Sequence, residues 1–327
     1  MGADRWIGNG FKDAFEDLGH EFFWLEEVHD FAARIRKISP DILMIAQSKL
    51  NRTNLPVIMA GRKRGMKVVL RVDSFFDQES EMRNILIHEN PADLYYGEVE
   101  NPWMGRFKEV TRKPYSVIAN AAHERQHIPG KHVKKYECDI VFLGAMMPNK
   151  REALEMLLLP LKKKYKVKIY GPNWTLGDNA MRLAGLIARK VGLMKANEAI
   201  QNMRLSVPVA EEKNLYASAK IAVNIHERGD NIDSHVILNE RTFKIPACGG
   251  FEICDFVPPL RNYFAPEEMV MADNAKGDWV QDWFEKIDYY VRHDEERKKI
   301  QEAGTRRALE KHTYIQRVQE ILKKLEI

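Results

Sequence analysis

Three polar clusters follow apolar, strand-like runs in the carboxyl-terminal half of the chain, and their residue types suit an anionic ligand. Asp139–Leu143 (DIVFL) ends at Gly144, and a short loop leads to Lys150-Arg151 at the start of a helix-like segment. Lys166–Tyr170 (KVKIY) runs into Gly171-Pro172-Asn173-Trp174. Ile221–Ile225 (IAVNI) runs into His226-Glu227-Arg228-Gly229-Asp230, and Asn239-Glu240-Arg241-Thr242 opens a further helical segment. In doubly wound sheets ligands sit at the carboxyl ends of strands, and helix N-termini attract phosphates through free N–H groups. Arg151 and Arg241 add charge-assisted contacts there. Gly144 and Gly171 let backbone approach closely, and Tyr170 and Trp174 supply aromatic surface. A weaker cluster, Gly8-Asn9-Gly10 with Glu26-Glu27 further on, has the start of a dinucleotide fingerprint; its third glycine and its preceding strand are missing.

The elements that position these clusters read as two α/β halves in series. In the first 119 residues, strand patterns at Glu21–Leu25 (EFFWL), Asp41–Ala46, Lys67–Val72, Leu94–Tyr96 and Ser116–Ala119 alternate with helical patterns at Phe11–Leu18, Val28–Ile38 and Asn54–Arg64. The DILMIA run is continuous and apolar, as in a parallel strand buried on both faces. The chain opens on a helix, so either a strand precedes Met1 or the front sheet is one strand short. Residues 120–137 lack apolar pattern and are expected as a linker. Alternation resumes at Asp139, with helices at Arg151–Leu159 (broken by Pro160), Leu215–Ala219 and Asn239–Cys248, and strands at Phe251–Cys254 and Met269–Ala272. Three helices close the chain, at Trp279–Val291, Glu295–Leu309 and Tyr314–Leu325. The expected division is 1–119, 120–137, 138–312 and 313–327.

Composition narrows the class. At 327 residues, 45% hydrophobic and 30% charged, the chain is an ordinary globular one. No apolar run approaches the roughly 18 residues a membrane span needs. Three cysteines, Cys138, Cys248 and Cys254, cannot pair completely and show no metal-ligand spacing, which fits a reducing cytoplasm. Charge is regional: residues 1–119 carry 17 Lys+Arg against 18 Asp+Glu, whereas 150–213 carry 13 against 6. That basic stretch lacks interleaved aromatics and no nucleic-acid module is present, so nucleic-acid binding is not expected.

The second half resembles the CgeB-like group of the group 1 glycosyltransferases. The resemblance rests on DIVFLG followed by Arg151, on IYGPNW (169–174), LYASAKIAVNIH (215–226), NERTFKIPACGGFEICD (239–255), YFAPEEMV (263–270) and the closing segment 293–318. It spans roughly residues 115 to 325. It implies two Rossmann-like domains facing a cleft (the GT-B type), with the last helix crossing back to the first domain. It also implies sugar transfer from a nucleotide-diphosphate donor, with base and ribose near Tyr170–Trp174. The diphosphate would lie near Arg151, Arg241 and the start of the 239–248 helix. No DxD motif is present, so the transfer is expected to need no metal and no cofactor. The acceptor, whether glycan, lipid or protein, belongs to the amino-terminal domain. Many members place glutamates where this sequence has Val236 and Lys244.

An inverting transferase needs a base near the acceptor hydroxyl. Asp73, just past the Lys67–Val72 strand, is the first choice, Asp4 in the first loop the second and His226 the third. Three rival readings are an epimerase on the same fold, an NAD-dependent oxidoreductase through Gly8-Asn9-Gly10, and a non-catalytic nucleotide-sugar-binding protein. Residues 175–207 are longer than a simple connection. Their apolar run with Arg182, Arg189 and Lys190 suits peripheral contact with the inner membrane face, a homodimer interface, or a cover over the core.

Overall fold

The computed structural model describes residues 3–25, 30–72, 80–98, 102–204, 206–226, 238–273 and 278–327. They fall into two compact units, one built mainly from Phe11–Asn120 with Ile315–Ile327, the other from Met1–Gly10, Ala121–Arg228 and Asn239–Tyr314. No helix among the described residues is long and apolar enough to cross a membrane.

The chain begins with helix α1 (Ala3–Asp17). The front unit then alternates helix α2 (Phe31–Ile38), strand β1 (Ile42–Ala46), helix α3 (Leu55–Lys63), strand β2 (Lys67–Arg71), helix α4 (Glu81–His88), strand β3 (Leu94–Gly97), helix α5 (Pro102–Thr111) and strand β4 (Ser116–Val117). The four strands are parallel and lie in the order β1-β2-β3-β4. Local chemistry sets the boundaries. Asp30 caps α2 by accepting from the Ala33 N–H at 2.8 Å, and Ser80 caps α4 through Arg83 N–H at 3.1 Å. Ser39 ends α2 in the left-handed region, with φ 50°, ahead of Pro40.

Two expectations for this region are corrected. Residues 21–25 form no strand. Their aromatics pack on one another instead, Phe22 edge-on to Trp24 at 5.1 Å and tilted against Phe15 at 6.3 Å, while Leu25 packs against the sheet's core. Helix α1 starts at Ala3, so Asp4 lies in its first turn and not in a loop, and Gly8-Asn9-Gly10 lie inside it. A helix interior presents no free N–H groups to a pyrophosphate, so the dinucleotide reading fails there. Gly10 has a packing reason: a Cβ would run into the ring of Tyr314.

The second unit carries strand β5 (Cys138–Leu143), helix α6 (Arg151–Leu161), strand β6 (Val167–Tyr170), helices α7 (Leu176–Lys190), α8 (Met194–Arg204) and α9 (Glu212–Ser218), strand β7 (Ala219–Asn224), helix α10 (Arg241–Ala247), strands β8 (Glu252–Asp255) and β9 (Val270–Ala272), and helices α11 (Trp279–Arg292) and α12 (Asp294–Lys311); the last helix, α13 (Tyr314–Leu325), belongs to the front unit from Ile315 onward. Its five strands are parallel, in the order β6-β5-β7-β8-β9. Side chains alternate between the faces of a strand. Phe142 and Val223 face Leu154 and Leu158 of α6 and Trp283 of α11; Val141 and Ala222 face Leu215 of α9 and Ile245 of α10. Apolar layers on both faces explain why these strands read as continuous hydrophobic runs. Pro160 does not break α6, because it falls in the last turn, which ends at Leu161. The stretch expected as a linker holds buried Ala121, Ala122, His123, His127 and Tyr136. Ala122 bonds the backbone of His312 and Tyr314 at 2.8 and 3.1 Å.

Segment 175–207 folds into the α7–α8 pair. Thr175 caps α7 through the Asp178 N–H at 3.1 Å, and buried Asp178 holds Arg204 of α8 at 2.8 Å. All three cysteines are free and buried.

Asp93 joins three parts of the front unit. It accepts from Val68 N–H of β2 at 2.8 Å and from Arg62 of α3 at 2.6 Å. Burial opposes its ionisation, but the Arg62 and Val68 donors outweigh burial and hold the carboxyl below its ordinary 3.8. A depressed carboxyl contributes stability above its unfolded pKa and loses it as pH falls through the folded one. Asp93→Asn should therefore cost about 1 kcal/mol at neutral pH. The gap from the parent in denaturant titrations should close as pH drops below the ordinary aspartate value.

Candidate functional site

The order of the five-stranded sheet reverses at β5. From β5 the chain moves to one side to make β6, then crosses back to make β7 on the other side. Connections leaving β5 and β7 in opposite directions open a crevice at their carboxyl ends, the usual ligand site of such sheets. The residues there are Leu143, which ends β5, Gly144 after it, and Ile225 and His226 after β7.

Arg241, the first residue of α10, lies across this point. Its guanidinium donates to Leu143 O at 2.9 Å and to Ile225 O at 3.4 Å, and sits 5.3 Å from the Phe142 ring centroid. Gly144 leaves the space it occupies, since a Cβ there would run into Arg241 Nη1. Lys150, buried just before α6, also donates to Ile225 O, at 3.3 Å. Asn239 Nδ2 reaches Asn224 Oδ1 at 2.9 Å and Ile225 O at 3.4 Å. Two cations thus converge on one strand end, and no described carboxylate forms an ion pair with Arg241. The crevice is a place for negative charge.

The loop after β6 closes one side. Gly144 N–H donates to Tyr170 O at 2.9 Å, and Met146 N–H to Pro172 O at 3.0 Å. Trp174 Nε1 donates to Gly144 O at 2.8 Å, with its ring edge-on to Phe142 at 5.7 Å. Gly171 sits at φ +119°, where a side chain would be strained, and a Cβ would meet the Gly144 backbone. Tyr170 packs edge-on to Tyr136 at 6.3 Å. The aromatic pair expected as a ligand platform is therefore also the scaffold that holds the Gly144 turn.

The remaining predicted residues separate. Arg151 is directed outward and pairs with Glu155 at 3.6 Å; its neighbour Lys150 is the cation that enters the crevice. His226 is wholly buried. Its Nδ1 lies 2.8 Å from Asp255 Oδ1, which also accepts the His226 N–H at 2.8 Å, and its Nε2 lies 2.8 Å from Thr242 Oγ1. Both nitrogens are engaged in tying the first turn of α10, from which Arg241 projects, to the ends of β7 and β8. Glu240 is the N-cap residue of α10 without a side-chain capping bond. Asp73 lies outside the described residues, and the side chain of Asp4 is likewise not described.

A family model described as glycosyl transferase-like matches residues 150–323, more than half of the chain. The chain belongs to the glycosyl transferase-like family. The match is to the family at large rather than to its CgeB-like branch. No curated protein sequence matches the chain. Among solved structures, it is similar to a glycosyltransferase from Rickettsia africae ESF-5, with 12% identity, a TM-score of 0.61, and 98% of this chain and 94% of that one covered. It is similar to sucrose-phosphate synthase from Thermosynechococcus elongatus, with 13% identity, a TM-score of 0.56, and 100% and 80% covered. It is similar to HepE of Anabaena, solved with UDP and glucose, with 11% identity, a TM-score of 0.59, and 99% and 96% covered. These likenesses establish the GT-B type of α/β fold, two parallel sheets with helices about them.

One departure from many family members has a structural account. Lys244 stands where they have a glutamate, and it pairs with Glu212 of α9 at 2.8 Å. Burial works against the cation, but Glu212 outweighs it and raises the Lys244 pKa above its ordinary 10.5. Sequence reasoning missed Glu212, Lys150 and the buried carboxyl Glu252. The signal for Glu252 was present, an acid set between Phe251 and Ile253 in an apolar run.

Glu252 bonds Asn224 Nδ2 at 2.8 Å beneath the crevice. Burial pushes its carboxyl from 4.5 up to about 8, against the pull of Asn224 and Arg241. A raised carboxyl gives stability that is present below 4.5 and lost as pH climbs through about 8. The Glu252→Gln variant should hold its melting temperature across that window while the parent declines. Parallel curves for the two would show that Glu252 ionises freely in the fold.

Proposed function

We propose that this family member transfers a sugar from a nucleoside diphosphate donor, with the diphosphate held at the carboxyl ends of β5 and β7. The observation that carries this reading is the guanidinium of Arg241 lying across Leu143 O and Ile225 O, with Lys150 beside it. Transfer breaks the bond between the anomeric carbon and a β-phosphate oxygen, whose electron pair leaves with the diphosphate, while the acceptor's hydroxyl oxygen forms a bond to that carbon and gives up its proton. Negative charge grows on that group, and two fixed cations in a partly buried site stabilise it without solvent having to reorganise. Charge compensation by side chains makes the proposed reaction independent of a metal.

The Gly144 turn and the Tyr170–Trp174 loop would flank the base and ribose. The solved complexes of HepE contain UDP and UDP-glucose, which supports a uridine nucleotide as the first donor to test. The front unit would hold the acceptor, with Asp73 as base; Asp4, the second candidate, belongs to the segment grouped with the other unit. His226 is withdrawn from that role by its two buried hydrogen bonds.

The test is a thermal-shift panel of UDP-, GDP-, ADP-, CDP- and dTDP-sugars, since a ligand that binds the folded state raises its melting temperature by mass action. One nucleotide class should stabilise the parent. Arg241→Ala should weaken that nucleotide by about tenfold or more, the scale of one charged hydrogen bond, and Lys150→Ala by a comparable amount. Arg241→Lys, which keeps the charge, should retain part of the shift. Undiminished binding by Arg241→Ala with an unchanged ligand-free melting temperature would refute the placement of the diphosphate.

A further inference from the structure

The α7–α8 pair turns its apolar side chains outward. Gly185 and Ala188 of α7 are buried, and a Cβ on Gly185 would press on Gln201 of α8 at 2.9 Å, which fixes the inward face. On the opposite side, Leu176 is 89% exposed, Leu183 60% and Ile187 55%. They fall at spacings of seven and four residues, one stripe of a helix. The stripe continues into the turn that joins the helices, where Val191, Leu193 and Met194 are all more than half exposed and Gly192 takes a left-handed conformation at φ +80°. Such side chains exposed together on a fifteen-residue helix are unlike scattered surface leucines.

Charge identifies what covers this face. Arg182, Arg189, Lys190 and Lys195 are exposed on the two helices, with Lys190 beside the apolar stripe and the others flanking it more widely. None of the four forms an ion pair with a carboxylate among the described residues, and Glu198 is the one exposed acid of the two helices, since Asp178 is buried against Arg204. A second copy seated on this face by a two-fold axis would bring the same cations against one another. An anionic lipid surface neutralises them and takes up the apolar stripe at the boundary between headgroups and acyl chains. We infer that the α7–α8 pair docks the protein on an anionic bilayer, with Leu176, Leu183 and Ile187 entering the interface and Arg189, Lys190 and Lys195 meeting the headgroups. Arg204 anchors the hairpin against the rest of its unit. It bonds Asp178 at 2.8 Å and Asn173 at 2.9 Å, tying the pair to the loop after β6.

The full chain would be floated with vesicles of phosphatidylglycerol mixed with phosphatidylcholine, and with phosphatidylcholine alone. The parent should partition to the mixed vesicles and release as salt rises. Neutralising Arg189, Lys190 and Lys195 together should lower partitioning on the order of a hundredfold. Leu183→Glu with Ile187→Glu should abolish it while leaving the circular dichroism spectrum and the nucleotide thermal shift intact. Both sets lie on exposed positions, so one variant's failure to fold leaves the other to decide. The inference is overturned if the parent ignores anionic vesicles, if neither variant alters partitioning, or if sedimentation finds a dimer that Leu183→Glu with Ile187→Glu dissolves.

Discussion

One guanidinium holds the carboxyl ends of two parallel strands together where the chain leaves them in opposite directions. Arg241 satisfies Leu143 O of β5 and approaches Ile225 O beyond β7, two backbone groups at the reversal of strand order. Much else in the unit is arranged around that side chain. Gly144 is small to admit it, Phe142 lies under it, and His226, Asp255 and Thr242 fix the helix turn from which it projects. The cation is at once a piece of the architecture and a charge that no described carboxylate neutralises.

The sheet strands were legible because burial on both faces writes itself as runs such as DIVFL and IAVNI, and Gly144 and Gly171 marked where β5 and β6 end. EFFWL misled for a physical reason. Aromatic residues favour strands, yet here they satisfy one another by ring packing and leave the backbone outside any ladder. The Gly8-Asn9-Gly10 cluster misled in another way: a glycine chosen to clear the Tyr314 ring is indistinguishable in sequence from one chosen for a turn.

Within the crevice, sequence singled out Arg151 rather than Lys150 beside Arg241, whereas Lys150 is the one that reaches Ile225 O. Adjacent helix-start cations are equivalent on paper. Which of them turns inward depends on the short turn of Pro148–Lys150 before α6, since successive helical residues point about 100° apart. His226 looked like a base because histidine after a buried strand often is one. Its partners Thr242 and Asp255 lie 16 and 29 residues away, and only the fold brings them together. The Lys244–Glu212 pair follows the same rule: the partner that neutralises Lys244 comes from a different helix, 32 residues away.

The burial of the cysteines has a practical side. Burial pushes the Cys138 thiol up to about 11 and the Cys248 thiol up to about 12, and raises Cys254 as well. Reaction with alkylating reagents requires a thiolate that solvent can reach, and the native chain offers neither. A fluorophore or spin label attached through one engineered surface cysteine would report from that position alone, with all three natural sulfurs left in place.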